Sequence, residues 1–159
     1  MQGRNIYAIG ETVYDILFKG EQPVAARPGG AMLNASVSLG RLGLPIHLIT
    51  EIGNDQVGSQ IQKFLNDNGV MLSKTAVFSG GSTALALAFL DDNENASYTF
   101  YKDYPEERLN FKMPEVAGND IILFGSSFSI SREVREKLTG FLSAARKAGA
   151  IIIYDPNFR

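Results

Sequence analysis

The sequence predicts an α/β protein built on a doubly wound, mostly parallel sheet with a small β lid. Two observations carry this. Short apolar runs over residues 5–10, 46–50, 120–125 and 150–154 alternate with segments of helical periodicity, and strands separated by helices pair in parallel. Further short strands, over about 12–28 and 82–104, interrupt that alternation and fit a separate small sheet.

Each element has its own signal. Residues 5–10 form a short apolar strand ending in glycine. Between 12 and 27, Ile16-Leu17-Phe18 and Val24-Ala25-Ala26 are broken by Lys19-Gly20-Glu21 and Pro23, the pattern of two short exposed strands. Gly29-Gly30 opens a helix to about Leu42 with small residues at Ala31, Ala35, Ser36 and Ser38; Gly43 ends it and Pro45 cannot continue it. After the strand at 46–50, Asn54 is placed as the N-cap of a second helix, with Asp55 in its first turn. Val57, Ile61, Phe64 and Leu65 give that helix its apolar face, and Gly69 terminates it. The polar turn 91–95 between strands 82–90 and 96–101 is a β-hairpin signal. Ser131 caps a last helix with Val134, Leu138, Phe141, Leu142 and Ala145 on one face, closed by Gly149.

Composition narrows the function classes. The 159 residues suit one domain, and 45% apolar with 20% charged residues is ordinary for a globular chain. With 15 basic against 17 acidic residues the net charge is −2, which argues against a nucleic-acid or anionic-membrane partner. The absence of cysteine excludes disulfides and thiolate metal sites. No apolar run reaches the ~18 residues of a membrane span, and the N-terminus lacks the apolar stretch of a signal peptide; the expected location is cytoplasmic. The chain ends at Asp155-Pro156-Asn157-Phe158-Arg159, directly after a strand-like run, which reads as a cut through a domain.

Open α/β sheets bind ligands outside the carboxyl ends of their strands. Three pieces fall there: Gly10 to Asp15, Gly29 to Asn34, and Asp155 to Arg159. An ionised Asp15 accepts hydrogen bonds through two oxygens and suits neighbouring hydroxyls of a polyol. Gly29 and Gly30 let backbone N–H groups approach a ligand closely at a helix N-terminus. Asn34 both gives and takes hydrogen bonds. Arg159 offers a planar fork for phosphate or carboxylate.

Gly29-Gly30-x-x-x-Asn34-x-Ser36, followed by Gly43 and Gly53, resembles the N-terminal signature of the PfkB, or ribokinase-like, carbohydrate kinases. Gly10-Glu11 with Asp15, Ile52-Gly53-Asn54-Asp55 with Gly58, Leu65-x-x-x-Gly69-Val70 and the hairpin from Ser82-Thr83 are similar to that family in the same order. The resemblance spans essentially residues 1–159 as the N-terminal part of a single ribokinase-like domain, with lid segments at about 12–28 and 82–104. It departs at Met32 and Leu33, bulkier than the family's small residues, and so expected to reshape the sugar pocket.

The resemblance implies ATP-dependent phosphorylation of a sugar hydroxyl, with Asp15, Gly29, Gly30, Asn34 and Arg159 on the sugar side. ATP and Mg²⁺ are its implied cofactors, and a homodimer through the β lid its implied assembly. The ending Asp155-Pro156-Asn157-x-Arg159 is closer to the fructokinase and 2-keto-3-deoxygluconate kinase branches. The family's catalytic Asp, glycine-rich anion hole and nucleotide pocket are expected beyond Arg159, so the 159-residue chain alone is expected to be inactive. Ala117-Gly118-Asn119-Asp120 imitates the catalytic motif but precedes a strand, and is read as structural.

Other classes fit poorly. Gly10 has no Gly-x-Gly-x-x-Gly partners, no lysine follows a glycine as in a P-loop, and Gly125-Ser126-Ser127-Phe128-Ser129 fails the Gly-x-Ser-x-Gly elbow. The rival of a different kind is a non-catalytic sugar-binding or dimerisation fragment, or a pseudokinase. Ser126 and Ser127, expected near the same pocket, are read as loop residues rather than contacts, His47 as structural, and Tyr98, Phe100, Tyr101 and Tyr104 as covering the sheet or meeting another subunit rather than as an aromatic sugar platform.

Overall fold

Two sheets organise the chain in the computed structural model, which describes residues 3–157. The main sheet is five-stranded and wholly parallel, in the order β5-β4-β1-β8-β9. Its strands are β1 (Ile6–Ile9), β4 (Ile46–Gly53), β5 (Thr75–Phe78), β8 (Ile121–Gly125) and β9 (Ile151–Asp155). The second sheet, order β3-β2-β6-β7, holds β2 (Val13–Lys19), β3 (Gln22–Gly29), β6 (Ser82–Leu90) and β7 (Ala96–Asp103). It is two antiparallel hairpins joined by a parallel β2–β6 pair.

Helices α1 (Ala31–Arg41), α2 (Gln56–Asp67) and α3 (Arg132–Ala148) cover the main sheet. β1 is buried on both sides, because successive side chains in a strand point to opposite faces. Ile6 and Ala8 join Met32, Leu33 and Val37 of α1 and Ile61 and Leu65 of α2 in one core. Tyr7 and Ile9 join Val134, Leu138, Phe141 and Ala145 of α3 in the other. The sheet is thus a middle layer between helices, as expected of a doubly wound fold.

Three local expectations change. Asp55, not Asn54, is the N-cap of α2: its carboxylate accepts from the Gly58 N–H at 2.7 Å. Ser131 occupies the N-cap position of α3 but its hydroxyl makes no capping hydrogen bond. β5 had no clear sequence signal, being four residues at the sheet edge; its pairing with β4 is what makes it a strand.

Asp55 also ties the two sheets together. Its carboxylate accepts from the Thr83 N–H at 2.7 Å and the Thr83 hydroxyl at 2.9 Å, at the start of β6. Thr83 Oγ1 in turn accepts from the Gly53 N–H at 3.0 Å. Burial alone would raise the Asp55 pKa, but these donors, with the Gly58 and Val57 N–H groups, hold it below the usual carboxylate range.

Candidate functional site

The carboxyl ends of β1, β8 and β9 meet the N-terminus of α1 and one face of the small sheet around a cavity of about 430 Å³. Its lining includes Glu11 after β1, Asp15 on β2, Gly30, Ala31 and Asn34 at the start of α1, and Ser126 and Ser127 after β8. Tyr98, Phe100 and Lys102 of β7 and Asn157 after β9 complete it. This is where an open α/β sheet places its ligands.

The small sheet contributes by register. Ala86 faces Phe100 and Ala88 faces Tyr98 across β6–β7, and Asp15 lies beside Ala86 across β2–β6. Ala86 and Ala88, both buried, thus lie between the Asp15 row and the aromatic row. Tyr98 and Phe100 stack with centroids 5.9 Å apart.

Gly30 sits at φ 119, outside the range of ordinary L-residues, and a side chain there would run into the Glu11 carbonyl. With no acidic residue in its first turn, α1 presents the positive end of its dipole at the cavity edge. The side-chain amide of Asn34, one turn on, makes no hydrogen bond among the described residues.

A polar network runs from the cavity wall into the core. Glu11 accepts from Lys102 Nζ at 2.7 Å and from the Tyr104 hydroxyl at 2.8 Å. Burial first, and then the Glu11 charge, push the Tyr104 pKa well up, so the phenol remains a donor. The Arg108 guanidinium lies 3.4 Å from the Tyr104 ring centroid and pairs with Glu51 through Nε–Oε2 at 2.8 Å. A second cavity of about 570 Å³, lined by Tyr104, Arg108 and Phe128, shares Glu11, Lys102 and Ser127 with the first.

Of the residues singled out from sequence, Asp15, Gly30 and Asn34 come together on the cavity wall. Gly29 does not line it: the space its side chain would fill is taken by the Asp15 carboxylate, which Gly29 thereby accommodates. Arg159 lies outside the described residues. Met32 and Leu33, expected to reshape the pocket, are instead buried in the core beside β1. Met32 fills the space at Gly10, where an added Cβ would stand 2.6 Å from its Cγ.

Ser126, Ser127, Tyr98 and Phe100 are wall residues rather than loop or sheet cover alone. Lys102 was missed altogether. The alternation Tyr98, Phe100, Lys102 on one face of a strand was a signal for it, once β7 is known to face the cavity.

The other readings have structural roles. Asp120 accepts from the Asn5 N–H at 2.8 Å and the Ala117 N–H at 2.9 Å, closing the turn before β8. His47 stacks on Tyr7 at 5.1 Å, with Nδ1 3.2 Å from the Ser73 hydroxyl. Among the described residues no group of three or more His, Cys, Asp or Glu could hold a metal ion. None of their helices is long and apolar enough to cross a membrane.

A parallel three-layer α/β core, with a polar cavity at its carboxyl edge under a small sheet, is the ribokinase-like fold. The pfkB family carbohydrate kinase pattern matches residues 4–159, and the chain belongs to that family. It is 30% identical over 138 residues to fructokinase-1 of Zea mays, covering 83% of this chain and 42% of that protein. It is 31% identical over 138 residues to the probable chloroplastic fructokinase-6 of Arabidopsis thaliana, covering 83% of this chain and 35% of that one. Among solved structures, fructokinase from Xylella fastidiosa superposes with a TM-score of 0.82 at 27% identity, covering 98% of this chain and 53% of that chain. The same bacterium's fructokinase has also been solved with bound ATP, with a TM-score of 0.81 at 25% identity. The chain thus spans about half the length of these solved relatives, and less of the plant ones.

Proposed function

We propose that the chain supplies the sugar-binding face and lid of an ATP-dependent carbohydrate kinase acting on a ketose or keto sugar acid, with fructose first. The observation that carries this is the convergence of Asp15 from β2 with Gly30 and Asn34 from the start of α1 on one cavity at the carboxyl edge of the sheet. A carboxylate acceptor, a helix N-terminus and an amide suit a polyol that both donates and accepts hydrogen bonds. Among the described lining residues, Glu11 and Asp15 stand against Lys102, a balance that favours a neutral sugar over an acid. The fructokinase relatives support the same ranking.

In this reading the small sheet is the lid that excludes water, and positioning of the attacking hydroxyl is this chain's share of the catalysis. ATP, whose γ-phosphate the hydroxyl attacks in line, and the catalytic base fall, in this reading, to residues outside this chain. So does Mg²⁺. A homodimer through the lid is supported by Phe89 and Tyr101, large and exposed on the face of this sheet opposite Tyr98 and Phe100.

Calorimetric titration with fructose, ribose, adenosine and 2-keto-3-deoxygluconate tests the reading. Fructose should bind most tightly, and Asp15→Ala should weaken it roughly 10- to 100-fold, the worth of a hydrogen bond to a charged group. No binding by any sugar, or unchanged binding in Asp15→Ala, sinks it.

A further inference from the structure

Ser126 holds a backbone conformation that a serine does not readily adopt. Its φ of 56° and ψ of −174° lie by the region populated essentially by glycine alone. The neighbouring structure enforces this from both sides. The Ser126 N–H donates to the Asp155 carbonyl of β9 at 3.0 Å. The Ser126 carbonyl accepts from the Ser129 N–H at 3.2 Å and from the Ser129 hydroxyl at 2.8 Å.

Glycine would satisfy the same backbone bonds without strain, so the side chain requires a separate reason. It is not capping: the hydroxyl makes no cap hydrogen bond to the 3-10 helix Ser127–Ile130 that follows. Nor does it bond any other described residue. It is half-buried and lines the cavity together with Asp15, Gly30 and Asn34.

We propose that Ser126 is a specificity-determining residue, its strained backbone holding the hydroxyl in the cavity to exchange a hydrogen bond with a hydroxyl of the bound sugar. This rests on the reading of the cavity as the sugar site. Asp15 approaches from the small sheet and Asn34 from α1; Ser126 adds a contact from the carboxyl end of β8. A serine hydroxyl both donates and accepts, so it suits a polyol position that a carboxylate cannot serve as donor.

Two variants separate strain from contact. Ser126→Gly removes both the strain and the hydroxyl, whereas Ser126→Ala removes only the hydroxyl. In thermal unfolding, Ser126→Gly should melt roughly 2–4 °C above the wild type, after allowing for glycine's extra chain entropy. Ser126→Ala should melt within about 1 °C of it. In calorimetry with fructose, both variants should bind about 3- to 10-fold more weakly, the loss of one neutral hydrogen bond.

A more stable but weaker-binding glycine variant, beside an equally weak alanine variant, establishes the role. Wild-type affinity in either variant overturns it while leaving the sugar site intact. So does a glycine variant no more stable than the alanine one. A wild-type protein that binds neither fructose nor 2-keto-3-deoxygluconate overturns the sugar reading itself, and this assignment with it.

Discussion

Arg108→Met is expected to destabilise the protein severely, because it strands a buried carboxylate. The side chains of Glu51 and Arg108 are only 4% and 9% exposed. Glu51 Oε2 takes the Arg108 Nε–H at 2.8 Å, and Oε1 takes the Leu109 N–H at 2.5 Å. Removing the guanidinium leaves Glu51 charged, buried and held by one N–H, a change that costs about 3–5 kcal/mol. Leu109 is fully buried at φ 52, so the carboxylate also stabilises an awkward turn. At about 2–4 °C per kcal/mol for a chain this size, Tm should fall by roughly 6–20 °C.

Glu51→Gln combined with Arg108→Met removes the stranded charge but keeps an acceptor for the Leu109 N–H. The double variant should recover at least about 2 kcal/mol of the Arg108→Met loss. Urea unfolding of the four proteins in the cycle measures this. A loss under about 1 kcal/mol for Arg108→Met, or additivity in the cycle, would refute a buried, mutually dependent pair.

Two further perturbations probe the frame of the site. Asp55→Ala deletes the α2 cap and the carboxylate contacts to Thr83; the expected loss is about 2–4 kcal/mol in urea unfolding, against under 1 if the anchor is unimportant. Because the folded-state pKa of Asp55 is depressed, its contribution is complete above the pKa of the unfolded chain, near ~4, and disappears as pH falls through the folded value. Stability of the wild type should therefore drop more steeply than that of Asp55→Asn below about pH 4. Gly10→Ala overfills the contact with Met32 and should cost about 1–3 kcal/mol. Met32→Ala opens space there, so the double variant should lose at least about 1 kcal/mol less than the sum of the two; strict additivity in thermal melts would disprove the contact.

Much of the fold was legible because its signals are local. The apolar runs of β1, β4, β8 and β9, the periodic faces of α2 and α3, and the polar turn at 91–95 report the element by themselves. Gly30 was legible as a candidate lining residue because its glycine pair opens a helix within an ordered set of motifs. Asp15 and Asn34 were legible only through their order within a family pattern. Asp55 as the true cap was not: both Asn54 and Asp55 are good capping residues, and the choice was made by Thr83, which bonds the Asp55 carboxylate from another sheet.

The sequence by itself determined the layer architecture, the parallel sheet and the position of the candidate site at its carboxyl edge, since periodicity and glycine placement are properties of neighbouring residues. Tertiary structure alone decided which side chains meet in that site. Lys102 reaches Glu11 across 91 positions of sequence, and Met32 turns into the core rather than the cavity because Gly10 leaves room for it. Ser126 acquires its strain only because β9 and Ser129 hold its backbone from opposite sides. These are contacts between segments distant in the chain, fixed by the packing of two sheets, and no local pattern of residues encodes them.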